Sequence, residues 1–250
     1  SVDAVREALR EDTALVTLMM VNNETGAVTD IAGIARTLRA AKSKALLHTD
    51  AVQGFMKEPF SAKTLGADMI SVSGHKVHAP KGIGALYIRQ GLKLPAHILG
   101  GGQEDGLRSG TEPMPQIAAF GEAVRIAKAE MPEANKRMEA LRAQCVQTLT
   151  DTVPDIVFLG GGSAHILSLS LPGYRSEVLM NYLEAKGIYV SKSSACKRGK
   201  RSHVLEAIGA PDKVIDGALR VSFSRYTTAE ECAYFCEALA AARKELYPSL

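Results

Sequence analysis

Residues 68–88 read DMISVSGHKVHAPKGIGALYI. Two short apolar runs, Asp68–Ser73 and Ile83–Ile88, flank a turn rich in Gly, Pro and Lys. Runs of this length and composition, bounded by Gly and Pro, predict strands. Upstream, Ala14–Val21 is an apolar run interrupted by Thr17, and it predicts a buried strand. Asp30 then opens a helix through about Ala41, with Ile31, Ile34, Ala35 and Leu38 on one face. Ala45–His48 reads as the next strand. Strands separated by helical segments predict a mainly parallel, doubly wound α/β sheet. Ligands in such sheets sit beyond the carboxyl ends of the strands. NNETG (22–26), HTDAVQ (48–53) and SGHK (73–76) all fall just past such ends.

Downstream the pattern changes. Gly100–Gly110 has neither helical nor strand periodicity. Pro113 and Pro115 precede a predicted helix from about Gln116 to Met131 and a second from about Asn135 to Leu149. Further elements follow: strand Ile166–Leu171, helix Ser176–Lys186, a strand at Val190, a polar loop, helix His203–Ile208, strand Ala218–Ser224 and helix Ala229–Tyr247. Residues 1–114 are therefore expected to form part of a large α/β domain, and residues 115–250 a smaller α+β domain.

Composition narrows the function classes. The 250 residues are 46% hydrophobic and 23% charged, enough to bury a sizeable core, and this excludes a disordered or disulfide-scaffold chain. A net charge of +3 makes no case for direct nucleic-acid or membrane binding. No apolar run approaches the ~18 residues of a membrane helix. The opening SVDAVREALRED is an amphipathic helix pattern without the apolar core of a signal peptide. With no such signal, Cys145, Cys196, Cys232 and Cys236 are expected as reduced thiols in a cytoplasmic setting.

Three residues stand out chemically. Lys76 follows an apolar strand among small residues and His75. A lysine there suits a Schiff-base role, whose amine must be partly desolvated to be nucleophilic. The alternative is a surface lysine in a Gly-rich turn. Asp50 ends a strand 26 residues before Lys76. A carboxylate there can pair with a protonated pyridine nitrogen and keep a cofactor ring an electron sink; the alternative is a helix N-cap. Cys196 lies in the polar loop SKSSACKRGKRSHVL, flanked by Lys197, Arg198, Lys200 and Arg201. Such charges lower a thiol's pKa toward the reactive thiolate. Cys145, Cys232 and Cys236 fall in helical segments and read as core, and no metal site is expected.

Six segments in order, VNNETGAVTDI, HTDAVQ, SVSGHKVHAPKGIGALY, GGGQEDGLRSGTEP, SSACKRGKRSHVLEAIG and LRVSFSRYTTAEE, resemble the cysteine desulfurases. These are pyridoxal 5'-phosphate enzymes of the aminotransferase class V group. The resemblance covers essentially the whole chain. It implies a fold-type-I large domain, a small C-terminal domain, a homodimer, and conversion of L-cysteine to L-alanine with transfer of sulfur. It assigns Lys76 to the covalent link with the cofactor, Asp50 to the pyridine nitrogen and Gln53 to the phenolic oxygen. Asn23 would lie near that oxygen and the substrate. Ser73 and His75 would contact the phosphate, with Thr111 reaching it from the other subunit. Arg220 would hold the substrate carboxylate, and Cys196 would carry the persulfide. The implied partner is a sulfur-acceptor protein, either an iron–sulfur scaffold or a tRNA-thiolation enzyme. A related lyase acting on selenocysteine or a cysteine sulfoxide, or a non-catalytic fragment, are the alternatives.

The sequence departs from the family in two places. The stretch from Cys196 to Ser202-His203-Val204-Leu205 is short and unusually basic, which bears on partner choice. The family also carries a segment before the position of Ser1, holding a ring-stacking histidine and a Gly-rich phosphate turn. On the resemblance, the 250-residue chain is expected to bind the cofactor weakly by itself and to associate.

Overall fold

The computed structural model describes residues 1–192 and 201–248. Contacts divide the chain into two units, Ser1–Val21 with Thr29–Glu130, and Asn22–Val28 with Met131–Leu250.

The first unit begins with α1 (Val2–Ala8) and β1 (Leu15–Met19), continues through α2 (Ile31–Ala40), β2 (Leu46–Asp50), α3 (Ala62–Leu65) and β3 (Met69–Ser73), and adds β4 (Gly84–Ile88). Its sheet runs in the order β1-β2-β3-β4. The first three strands are parallel and β4 is antiparallel. The α2 start is written in the sequence: the Asp30 carboxylate accepts the Gly33 amide at 2.7 Å and caps the helix. The helix then buries Ile31, Ile34, Ala35 and Leu38, the face its periodicity predicts. Leu47, Thr49 and Ile70 are buried on one face of the sheet. β1 is not the buried strand that its apolar run suggests, because it lies at the sheet edge and Leu15 is 50% exposed. An apolar run reports a strand; how many neighbours that strand has is set elsewhere in the chain.

The two helices expected around Pro132 are one, α4 (Met114–Thr152), with Pro132 inside it. A proline removes one main-chain donor and crowds the preceding turn, which is why the sequence reads as a break. The residue-114/115 position marks the start of α4, whereas the units divide after Glu130. The early turns of α4 go with the first unit: the Phe120 ring stands edge-on to Phe55, 6.3 Å between centroids.

The second unit contains β5 (Val157–Phe158), β6 (Ile166–Ser170), α5 (Ser176–Glu184), β7 (Ser191–Lys192), α6 (His203–Ala207), α7 (Asp212–Asp216), β8 (Ala218–Ser222) and α8 (Ala229–Glu245). Its sheet is antiparallel in the order β5-β6-β8-β7. Thr228 and Glu231 form a reciprocal capping box that starts α8. One core joins Leu149, Leu167, Leu169, Leu179, Leu219 and Leu239. Cys145, Cys232 and Cys236 are buried in it, as their helical positions imply. Burial pushes the Cys232 thiol up to about 12, so it is a packing group rather than a nucleophile. Among the described residues no helix is long and apolar enough to cross a membrane.

Close backbone approach explains one glycine here. A Cβ on Gly217 would lie 2.3 Å from the main-chain oxygen of Leu171. Gly217→Ala should therefore cost about 3 kcal/mol, since neither strand end can retreat without unzipping β6 from β8. Gly121→Ala in α4 meets nothing within 4 Å and should stabilise by about 0.5–1 kcal/mol. Paired chemical-denaturation curves check both; equal stability of the two variants would refute the steric account.

Candidate active site

In the first unit the site is laid out by strand register. Thr17, His48 and Ser71 point from one face of the sheet and are hydrogen-bonded in a row. Thr17 Oγ1 lies 2.6 Å from His48 Nδ1, and His48 Nε2 lies 2.9 Å from Ser71 Oγ. Asp50, two residues beyond His48, pairs in register with Ser71. Because side chains alternate along a strand, Asp50 and Ser73 share that face at the carboxyl ends of adjacent parallel strands. One Asp50 oxygen accepts the Val52 amide at 2.9 Å. The capping alternative for Asp50 thus describes one oxygen of the carboxylate. Gln53 follows on the same turn and is buried.

Lys76 sits in a single 3-10 turn, Gly74–Val77, that begins where β3 ends. Gly74 lets this turn pack closely on the start of β4: a Cβ there would lie 2.8 Å from Ile83 Cγ2. Ser73 Oγ and His75 Nδ1 are 2.7 Å apart. Partial desolvation, then the charges of Lys76, Lys81 and Lys57, hold the His75 pKa below the usual imidazole value. An open cavity of about 560 Å³ is lined by Ser73, His75, Lys81, Gly82, Ile83 and Gly84. Hydroxyl, imidazole and the Lys81 ammonium around one concavity form a donor set for a phosphate dianion. With a carboxylate for a ring nitrogen and a lysine for an aldehyde, these residues fit pyridoxal phosphate.

The second unit contains the NNETG loop. Asn22 folds it: its Oδ1 accepts the amides of Glu24 and Thr25, both at 2.9 Å. Gly26 closes the turn at φ 71°, where a Cβ would also press on Ser163 and Ile166. Arg220, on β8, donates from Nη1 to the main-chain oxygen of Asn23 at 2.9 Å and from Nη2 to Ser191 Oγ at 3.2 Å. Asn23 and Arg220, separated by nearly the whole chain, are thus direct neighbours. Buried Glu24 accepts a hydrogen bond from Ser202, which also caps α6.

The basic flank of Cys196 is altered in one respect. The Arg201 guanidinium is held by Asp216 and Asp212, each approaching to 2.8 Å. Those two carboxylates offset its charge, so Arg201 anchors α7 and is not a free cation for the thiol. Cys196, with Lys197, Arg198 and Lys200, lies outside the described residues. Thr111 is exposed on the segment before α4. Sequence reasoning missed Lys57, Glu24 and Ser202. Glu24 stood in a quoted motif without a role, and its partner is 178 residues away. Lys57 carried no local signal beyond following the HTDAVQ turn.

A family model described as aminotransferase class-V matches residues 1–235. The chain belongs to that family. Among relatives, cysteine desulfurase 2 of Trichormus variabilis is 42% identical over 229 residues, which is 90% of this chain and 57% of that protein. Cysteine desulfurase IscS of Tolumonas auensis is 43% identical over 238 residues, 92% of this chain and 57% of its own length. The chain thus spans a little over half the length of these relatives. A solved NifS-like protein superposes with a TM-score of 0.90 at 37% identity, covering 98% of this chain and 65% of that one. SspA, solved in complex with cysteine, gives a TM-score of 0.70 at 32% identity over 91% of this chain and 64% of its own. The fold is that of the fold-type-I pyridoxal-phosphate-dependent enzymes.

Proposed function

We propose that the protein is a pyridoxal-phosphate-dependent cysteine desulfurase. It takes the sulfur of L-cysteine as a persulfide on Cys196, releases L-alanine, and passes the sulfur to an acceptor protein serving iron–sulfur cluster or thio-tRNA synthesis. The observation that carries this reading is the convergence of Asp50, Ser73, His75 and Lys76 at the carboxyl ends of β2 and β3. The cofactor, when bound, supplies an electron sink for bond cleavage next to the substrate amine. The chain's own residues do the rest. Asp50 holds a proton at the ring nitrogen. Gln53 and Asn23 orient the ring's phenolic oxygen. Ser73 and His75 anchor the phosphate, joined by Thr111 from a second copy in a homodimer. Arg220 takes the substrate carboxylate in its planar fork. We place this activity in the cytoplasm, where the four thiols stay reduced.

Relatives named cysteine desulfurase at 42% and 43% identity support the reading, as does the cysteine complex of SspA. The test is product analysis. Cofactor-loaded protein given L-cysteine and a thiol reductant should yield alanine and sulfide in equal amounts. Pyruvate in place of alanine would overturn the proposal. Arg220→Ala should raise KM for L-cysteine on the order of tenfold or more, the worth of a charge-assisted carboxylate contact.

A further inference from the structure

Glu24 is a buried carboxylate in the middle of the NNETG turn, and it accepts the hydroxyl proton of buried Ser202. Ser202 has one proton to give. With that proton on Glu24, its oxygen accepts the Leu205 amide at 3.1 Å. Burying a carboxylate is costly, and closing the turn does not call for one. The Gly26 amide already donates to the Asn22 carbonyl at 2.9 Å, and the Gly26 carbonyl accepts the Ser163 amide at 2.9 Å.

The effect of the anchor appears one peptide away. The carbonyl of Asn23 and the amide of Glu24 belong to one planar group, so they point in opposite directions and turn together. The amide donates to Asn22 Oδ1 at 2.9 Å. The carbonyl accepts Arg220 Nη1 at 2.9 Å. Swinging this plane means moving Glu24, whose side chain is tied to Ser202, 178 residues away. On its other nitrogen, Arg220 Nη2 donates to Ser191 Oγ at 3.2 Å. Two acceptors on different nitrogens set the plane of the guanidinium. That plane decides whether the group can meet a carboxylate with two parallel bonds.

We propose that Glu24 is a positioning residue for the substrate carboxylate: held by Ser202, it fixes the Asn23–Glu24 peptide, and that peptide aims Arg220. The inference rests on reading Arg220 as the arginine that takes this carboxylate.

Two amines that differ only by a carboxylate test it. L-Alanine and ethylamine are titrated into the cofactor-loaded protein, and dissociation constants are read from the circular dichroism of the bound cofactor. Glu24→Ala should weaken L-alanine on the order of threefold to tenfold, less than loss of the arginine itself, and leave ethylamine within about twofold. Glu24→Gln keeps an acceptor for Ser202 at the same reach and should hold both amines within about twofold of wild type. In Arg220→Ala, adding Glu24→Ala should weaken L-alanine no further, because residues that act through one contact are not additive. Equal weakening of both amines would mean a merely structural role and overturn the proposal. So would an unchanged affinity of Glu24→Ala for L-alanine, a loss in Glu24→Gln as large as in Glu24→Ala, or a full further loss in the Arg220→Ala background. Thermal melts establish that the variants are folded. Should Glu24→Ala not fold, Glu24→Asp, one methylene short of Ser202, carries the same expectation. Binding is read without turnover, so failure of the desulfurase reading would appear in product analysis and leave this result standing.

Discussion

Lys76→Ala should leave the protein unable to hold pyridoxal phosphate covalently, with turnover of L-cysteine reduced on the order of a thousandfold or more. The expectation follows from where the turn puts this amine. β3 ends at Ser73, Gly74 packs closely against Ile83, and the 3-10 turn carries Lys76 to the same end of the sheet as Asp50. An aldehyde carried on a ring whose nitrogen meets Asp50 and whose phosphate meets Ser73 and His75 has this lysine as its partner. Reduction of the loaded protein with borohydride, followed by peptide mapping, should find the cofactor on the peptide containing Lys76. Lys81 is the informative control. It acts electrostatically on His75 and lines the same cavity, but it lies beyond the turn, on the loop leading to β4. Attachment at Lys81 would overturn the assignment and make Lys76 a phosphate ligand.

What the sequence disclosed was local, and what it hid was assembled from distant parts. Asp30 caps α2 because an acidic side chain three residues before a free amide does so in any fold. SGHK reads as a strand-end turn because Gly74 and its neighbours leave little else available. Cys145, Cys232 and Cys236 were legible as core residues from their places in helical segments of α4 and α8. Leu15, by contrast, belongs to an apolar run that looks buried, yet it is half exposed on an edge strand. Pro132 looked like a helix end, and the helix passes through it. The contacts of Glu24 with Ser202, and of Arg220 with Asn23, join residues from opposite ends of the chain; no periodicity encodes such a pairing. Lys57 is the extreme case. Its Nζ donates to the main-chain oxygen of Lys76, 19 residues away, from a strained turn that only coordinates reveal.

Cys196→Ser should reduce sulfide release from L-cysteine a hundredfold or more, to about the level of spontaneous loss, while the Lys76 linkage to the cofactor stays intact. A hydroxyl cannot accept sulfur as a persulfide, whereas binding of the cofactor makes no use of the thiol. Cys196 itself is placed by the sequence, in SSACKRGK. The residues on either side of that stretch are firmly held. Before it, Ser191 is bonded to Arg220 and Lys192 is paired with Glu177. After it, Arg201 is held by Asp212 and Asp216, and Ser202 by Glu24. These anchors divide the basic flank into two kinds of charge. Neutralising Lys197, Arg198 and Lys200 together should slow alkylation of Cys196 at neutral pH, because the thiolate loses its cationic neighbours. Arg201→Gln should leave the alkylation profile unchanged and instead loosen α7, because its charge is already matched by two carboxylates. Alkylation rates against pH for the two variants, read beside sulfide release, separate these effects. Wild-type sulfide release from Cys196→Ser would remove the persulfide step altogether. An alkylation profile that shifts with Arg201 and ignores the three other cations would reverse the assignment of charge on this flank.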